Sequence, residues 1–243
     1  PFRFKFVFLF SKHHTHHLLR CASTQGAERV HHLSVVYGGQ ANPSLVFASK
    51  KGYLETVKFL VRRGVDIHTN NNGALIWASR YGHLEVVKFL IGEGADVRAN
   101  NNEALRWASE RGHLEVIQFL IEVGADVHAS DDDALRWASV CGHLEVVKIL
   151  ISSGADVHTS DDQALRWASE NGHLDVVQFL ILEGGADVHA MDDHALIWAS
   201  KNGHLEVVKF LILEGGADVH ANDDGALRFA AMKGRLDVVK CLI

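Results

Sequence analysis

Seventeen histidines in 243 residues are the first feature that could carry chemistry. Ten of them fall into two columns, His83, His113, His143, His173 and His204, and His68, His128, His158, His189 and His220. Neutral imidazole is a common metal ligand, so the columns raise the question of zinc. Zinc ligands must converge with bonds of about 2.0–2.1 Å. One imidazole per structural unit, with stacked helices about 8–10 Å apart, makes a row rather than a cluster. A denser tract, "HHTHH" at 13–17, could hold a metal ion loosely and otherwise reads as a flexible polar leader. No metal site and no cofactor are expected.

The second feature is a ladder of arginine and tryptophan. "ALRWAS" stands at 104–109, 134–139 and 164–169, "ALIWAS" at 74–79 and 195–200, and "ALRFAA" at 226–231. Trp77, Trp107, Trp137, Trp167 and Trp198, with Phe47 and Phe229 at the ends, share one position. A nucleic-acid platform would set such aromatics in a basic groove. A formal charge of −6, a pI near 6.3 and Asp-rich loops oppose that. Each tryptophan is therefore expected to wedge between adjacent helices and seal a junction, burying about 150–250 Å². Arg106, Arg136 and Arg166 have two readings. One is a strut to the Asp-rich loop of the same or the next unit, with forked hydrogen bonds; the other is an exposed cationic row for an acidic partner. Ile76 and Ile197 replace the arginine without other visible change, which favours the strut.

Catalysis has less support. There is no G-x-S-x-G and no phosphate-cradling G-x-x-x-x-G-K-[ST]. Carboxylates such as Asp131 and Asp133 recur with the period, as structural groups do. Three cysteines without a C-x-x-C pair point to reduced thiols and a cytoplasmic location. No apolar run approaches the roughly 18–20 residues of a membrane span. The opening "PFRFKFVFLF" alternates phenylalanine as a strand would and carries early basic residues as a signal peptide does. Its apolar core is too short for the latter, so 1–17 is expected to be an extended or poorly ordered leader.

These residues need elements to position them, and the elements repeat. Copies begin at Ser44, Ala74, Ala104, Ala134, Ala164, Ala195 and Ala226, with spacings of 30 residues and then 31 for the last two. The extra residue falls in "ILEGGAD". "LLRCAS" at 18–23 marks a degraded copy, so 18–43 is expected to be a divergent capping repeat. Six repeats then span 44–225, and 226–243 is a C-terminal partial one. Asn42, Asn72, Asn102, Asp132, Asp162, Asp193 and Asp224 precede the motif by two residues and are expected to be N-caps. A first helix runs through "ALRWAS" to a glycine such as Gly82, and a second, "HLEVVKFLI" at 83–91, ends at Gly94. The second helix is apolar on several faces, apart from Glu85 and Lys88 three residues apart, so it must be covered on more than one side. Stacked neighbours supply that cover in a solenoid.

"GHLEVVKFLIGEGADV" at 82–97 closely resembles the second half of an ankyrin repeat, and "ALRWAS" lies where that family carries Thr-Pro-Leu-His-x-Ala-Ala. Leu75 and Ala78 match the family's buried Leu and first Ala; the Thr-Pro pair is missing. The resemblance covers 44–243, with a weaker extension to 18. It implies an all-α ankyrin-type helical repeat solenoid. The usual repeat takes 33 residues, and the missing three fall where the family has its β-hairpin fingers. Shortened loops with little or no β-hairpin follow, similar to arrays in large DNA viruses. The resemblance also gives the first histidine column a structural role, bonding loop backbone at the start of the second helix.

Against this repeated frame some positions vary. The pair before each glycine reads Lys50-Lys51, Arg80-Tyr81, Glu110-Arg111, Val140-Cys141, Glu170-Asn171 and Lys201-Asn202. The position before the motif reads Gly73, Glu103, Asp133, Gln163, His194 and Gly225. The resemblance places both sets on the concave face that ankyrin arrays use for partners. The expected function is a non-catalytic, monomeric module binding a protein partner there, with no nucleic acid and no membrane. The candidate contacts are Arg80, Tyr81, Glu103, Glu110, Arg111, Asp133, Val140, Cys141, Gln163, Glu170, Asn171, Lys201 and Asn202. The alternative is a substrate-targeting segment of a larger enzyme or ubiquitin-ligase adaptor.

Overall fold

The computed structural model describes residues 41–243. The leader, the "HHTHH" tract and nearly all of the expected capping repeat lie outside the described residues. First helices are α1 (Ala41–Lys50), α3 (Thr69–Arg80), α5 (Ala99–Arg111), α7 (Ala129–Val140), α9 (Thr159–Asn171), α11 (Ala190–Asn202) and α13 (Ala221–Met232). Second helices are α2 (Leu54–Arg62), α4 (Leu84–Gly92), α6 (Leu114–Glu122), α8 (Leu144–Ser152), α10 (Leu174–Leu182), α12 (Leu205–Leu213) and α14 (Leu236–Leu242). Among the described residues there is no strand, so the all-α solenoid with shortened loops is the fold observed.

Residue size explains the stacking. On the first helices from α1 to α11 the leucine of the motif and the small residues beside it, such as Leu135, Ala138 and Ser139, are fully buried. Small side chains let neighbouring first helices approach closely, and the leucine fills the seam between them. On the second helices α4 to α12 two valines, or a valine and an isoleucine, with a leucine, such as Val116, Ile117 and Leu120, close the other side. First helices pack against one another far more closely than second helices do. The stack therefore bends, with the first helices on its short inner side. On the outer side Lys88 and Glu85 pair at 3.1 Å, as their spacing predicts, and Lys58–Glu55, Lys148–Glu145 and Lys209–Glu206 repeat the contact. Solvent screens such exposed pairs, so they add little to stability.

The tryptophans depart from the expected interior wedge. All five are partly exposed, and Trp107 packs against the core from its edge. A residue two positions along a helix points about 200° away, so the leucine and the tryptophan of one motif cannot both face the seam. The leucine takes it.

The expected N-caps are also corrected. In six repeats the three residues before the helix proper, for example Asn70, Asn71 and Asn72 or Ser130, Asp131 and Asp132, lie in the left-handed region with φ between 51° and 62°. L-residues avoid this region because Cβ crowds the next carbonyl, and Asn and Asp tolerate it best. That preference explains the predominance of Asn and Asp in the triplets, from which Ser130, Ser160 and Met191 depart. The last residue of the triplet bonds to the neighbouring repeat instead of capping its own helix. Asn72, Asn102, Asp132, Asp162 and Asp193 each accept the backbone N–H of Asp96, Asp126, Asp156, Asp187 and Asp218 at 2.8–3.0 Å. Asn42 lies inside α1, which begins at Ala41.

The second histidine column supports the same staple. His128, His158, His189 and His220 set Nδ1 at 2.7–3.2 Å from the carboxylates of Asp132, Asp162, Asp193 and Asp224. His68 does so with Asn72 at 3.2 Å. Asp132 also accepts the Thr159 hydroxyl at 2.7 Å and is 4% exposed. Asp132→Ala strands both donors at the junction and should cost about 2–3 kcal/mol in urea unfolding. Asp132→Asn should recover most of that, because Asn72 and Asn102 already serve with an amide oxygen. Equal losses for the two variants would contradict the assignment.

Candidate functional site

A side chain at the fourth position of the motif shares a helix face with residues three and four positions away. Trp77 accordingly lies beside Gly73, Arg80 and Tyr81, and the same set recurs along the inner side of the stack. This face collects the sequence-predicted contacts, and their surroundings divide them into two groups.

The first group is spent within the protein. Arg106 reaches Glu103 at 3.3 Å and Asp133 of the next repeat at 3.6 Å. Arg136 donates to Asp133 at 3.0 Å, to Gln163 of the next repeat at 2.7 Å and to the Ser130 carbonyl at 2.9 Å. Arg166 donates to the carbonyls of Asp161 and Ser160 at 2.9 and 2.8 Å. The arginine column is therefore a strut, as favoured from the sequence. Glu103, Asp133 and Gln163 are its acceptors, and Glu103 also accepts the Trp107 indole N–H at 2.8 Å.

The second group faces outward. Tyr81 is 42% exposed and stacks on Trp77 with ring centroids 6.0 Å apart. The Arg80 guanidinium lies 3.7 Å from the centroid of Trp107, whose ring also carries Arg106 at 4.2 Å. Arg111 is exposed and pairs loosely with Glu110 at 3.4 Å. Val140 and Cys141 are half-buried, and burial together with Glu110 pushes the Cys141 thiol above its ordinary value, away from thiolate reactivity. Asn171 caps the Trp167 carbonyl at 2.9 Å, Asn202 donates to the Glu170 carbonyl at 2.8 Å, and Lys201 lies 3.6 Å from the Trp198 centroid. Trp137 and Trp167 are in contact at 6.1 Å.

The face is held in place from behind. His83, His113, His143, His173 and His204 set Nε2 at 2.8–3.0 Å from the carbonyls of Lys50, Arg80, Glu110, Val140 and Glu170, each in the repeat before. Those carbonyls end the first helices, where backbone acceptors lack intrahelical partners. The structural role expected of this column is present, but it acts across the repeat junction. Burial holds the His113 imidazole below its ordinary value, opposed by the bond to Arg80, so the neutral Nε2–H form is favoured.

The tryptophan column and Lys50 were not among the predicted contacts, yet they form much of this surface. A signal was present in Gly73 and Ile76, where one repeat drops both its acceptor and its arginine, whereas Ile197 goes with His194 and Gly225 with Arg228. The gap they leave is a shallow groove of about 160 Å³ between Trp77 and Trp107, rimmed by Arg80, Asn70 and Asn100. Among the described residues no group of three or more His, Cys, Asp or Glu side chains converges as a metal site would require. None of the described helices is long and apolar enough to cross a membrane.

No curated protein matches the chain. A family model described as ankyrin repeats (3 copies) matches residues 18–102, 45–131, 96–161, 128–192 and 165–243. The overlapping matches cover everything from residue 18 onward. The chain belongs to the ankyrin repeat family.

Proposed function

We propose that the chain is a non-catalytic protein-interaction module whose partner lies across several repeats on the inner, first-helix face. Ankyrin repeats are generally protein–protein interaction modules. The observation that carries the reading is the contrast between columns. Leucine, alanine and serine at the seam are nearly invariant from repeat to repeat, while Arg80-Tyr81, Glu110-Arg111, Val140-Cys141 and Glu170-Asn171 change in charge and size on the open side. Rigid aromatic rings with arginines beside them are the residue types that dominate interface energetics. The strut and histidine bonds hold that surface in one arrangement before any partner arrives, which lowers the entropic cost of binding. The module acts as a monomer, and Cys141 and Cys241, both free thiols, fit a reducing intracellular compartment.

Capture experiments with wild type, Tyr81→Ala and Arg111→Ala test the surface. Each variant should weaken a genuine partner roughly tenfold or more, with the melting curve unchanged. A partner that survives both changes binds elsewhere, and the assignment of the face falls.

A further inference from the structure

The two ends of the inner face differ in charge. Toward the N-terminal end Lys50, Lys51, Arg80, Arg106 and Arg111 outnumber Glu103 and Glu110, with Asp133 of the next repeat also reaching Arg106, in a chain whose formal charge is −6. Both glutamates are engaged, Glu103 by Arg106, Trp107 and Asn100 and Glu110 by Arg111. Lys50 and Arg80 have no carboxylate within ion-pair distance among the described residues. Lys50 lies 4.8 Å from the Trp77 centroid and Arg80 3.7 Å from that of Trp107. The aromatic faces orient these cations without neutralising them. The carbonyls of both residues are fixed by His83 and His113, so the helix ends that carry the charges are held as well.

Beside Arg80 lies the groove left by Gly73 and Ile76. Its floor is Val46, Ile76 and the two indoles, and its rim is Arg80, Asn70, Asn100 and Glu103, whose carboxylate is already taken up by Arg106, Trp107 and Asn100. An apolar notch beside an unspent, pre-positioned cation matches a ligand that offers an aliphatic side chain next to a carboxylate. We infer that the segment 44–111 is the anchor of the interaction face and takes a partner segment in which an acidic residue adjoins an aliphatic one. The carboxylate pairs with Arg80 and Lys50, and the aliphatic side chain enters the notch between Trp77 and Trp107. The inference rests on the inner face being the binding surface and adds the chemistry of the partner.

The chain's own tryptophans report the test. The full chain is titrated with a capped dodecapeptide of alternating Asp and Leu, its Asn/Leu and Lys/Leu counterparts, and a single-stranded oligothymidylate, following indole emission. The Asp/Leu peptide is expected to saturate, to weaken with added salt, and to bind about tenfold or more tighter than the Asn/Leu peptide. Arg80→Gln combined with Lys50→Gln should remove that advantage, whereas Lys88→Gln on the outer side should leave it intact. The inference is overturned by no saturable response to Asp/Leu, by equal binding of Asn/Leu, by an advantage that survives the double change, or by oligothymidylate binding more tightly than the peptide. If that happens while captured partners are still lost with Arg111→Ala, the acidic-partner assignment fails and the face stands. If partners ignore Arg111→Ala and Tyr81→Ala as well, the face itself is wrong.

Discussion

Leu135→Ala is expected to destabilise the array by about 3–5 kcal/mol, and Trp137→Ala by about 2 kcal/mol. The order reverses what side-chain size alone would predict. Leu135 is 1% exposed and sits where α7 meets its neighbours and its own second helix. Truncating it leaves a cavity in a seam of small residues that have no flexible groups with which to refill it. Trp137 lies on the open face against Trp167, so water and neighbouring side chains fill the space its ring vacates. Because stability in a stacked array is carried through nearest-neighbour junctions, a central lesion also loosens the coupling between the two halves. Urea unfolding of both variants, followed by far-UV circular dichroism, measures the order. A tryptophan loss equal to or greater than the leucine loss would return the ring to the interior.

Gly142→Ala should cost about 2–4 kcal/mol, against about 1 kcal/mol for Gly64→Ala. Both glycines have positive φ, 73° and 84°, so both variants force an L-residue into left-handed backbone. They differ in what surrounds them. Nothing lies within 4 Å of a Cβ at Gly64, whereas one at Gly142 would sit 2.4 Å from Nδ1 of His173. That ring cannot move without breaking its bond to the Val140 carbonyl at 2.8 Å, which would leave a helix-terminal acceptor unpaired. The pair of variants separates backbone strain from loss of the junction. Melting temperatures that fall equally would mean that the glycine–histidine contact contributes nothing.

The helix pairs and their limits were legible in the sequence because their signals act within a few residues. Left-handed glycines at Gly82 and Gly94, the apolar faces of Leu84 to Ile91 and the Glu85–Lys88 pair are all local. The absence of β-hairpins among the described residues followed from a shorter period. Of the interaction face, the variable pairs such as Arg80-Tyr81 were legible as departures from a repeated frame. The supporting tryptophans were not, because one aromatic per repeat looks the same whether it faces the seam or the open side.

What the sequence determined by itself was therefore the repeat, the order of helices and turns, and the family to which they belong. The tertiary structure decided the partner of each polar column. Asn72 and Asp132 act on backbone 24 residues ahead, and His113 and His173 on carbonyls 33 residues behind. Those contacts exist only once neighbouring repeats are stacked, and stacking also sets which side of the first helix is closed by its neighbours. A periodic sequence specifies the unit; the direction in which units bend decides whether a ring at the middle of the motif is core or surface.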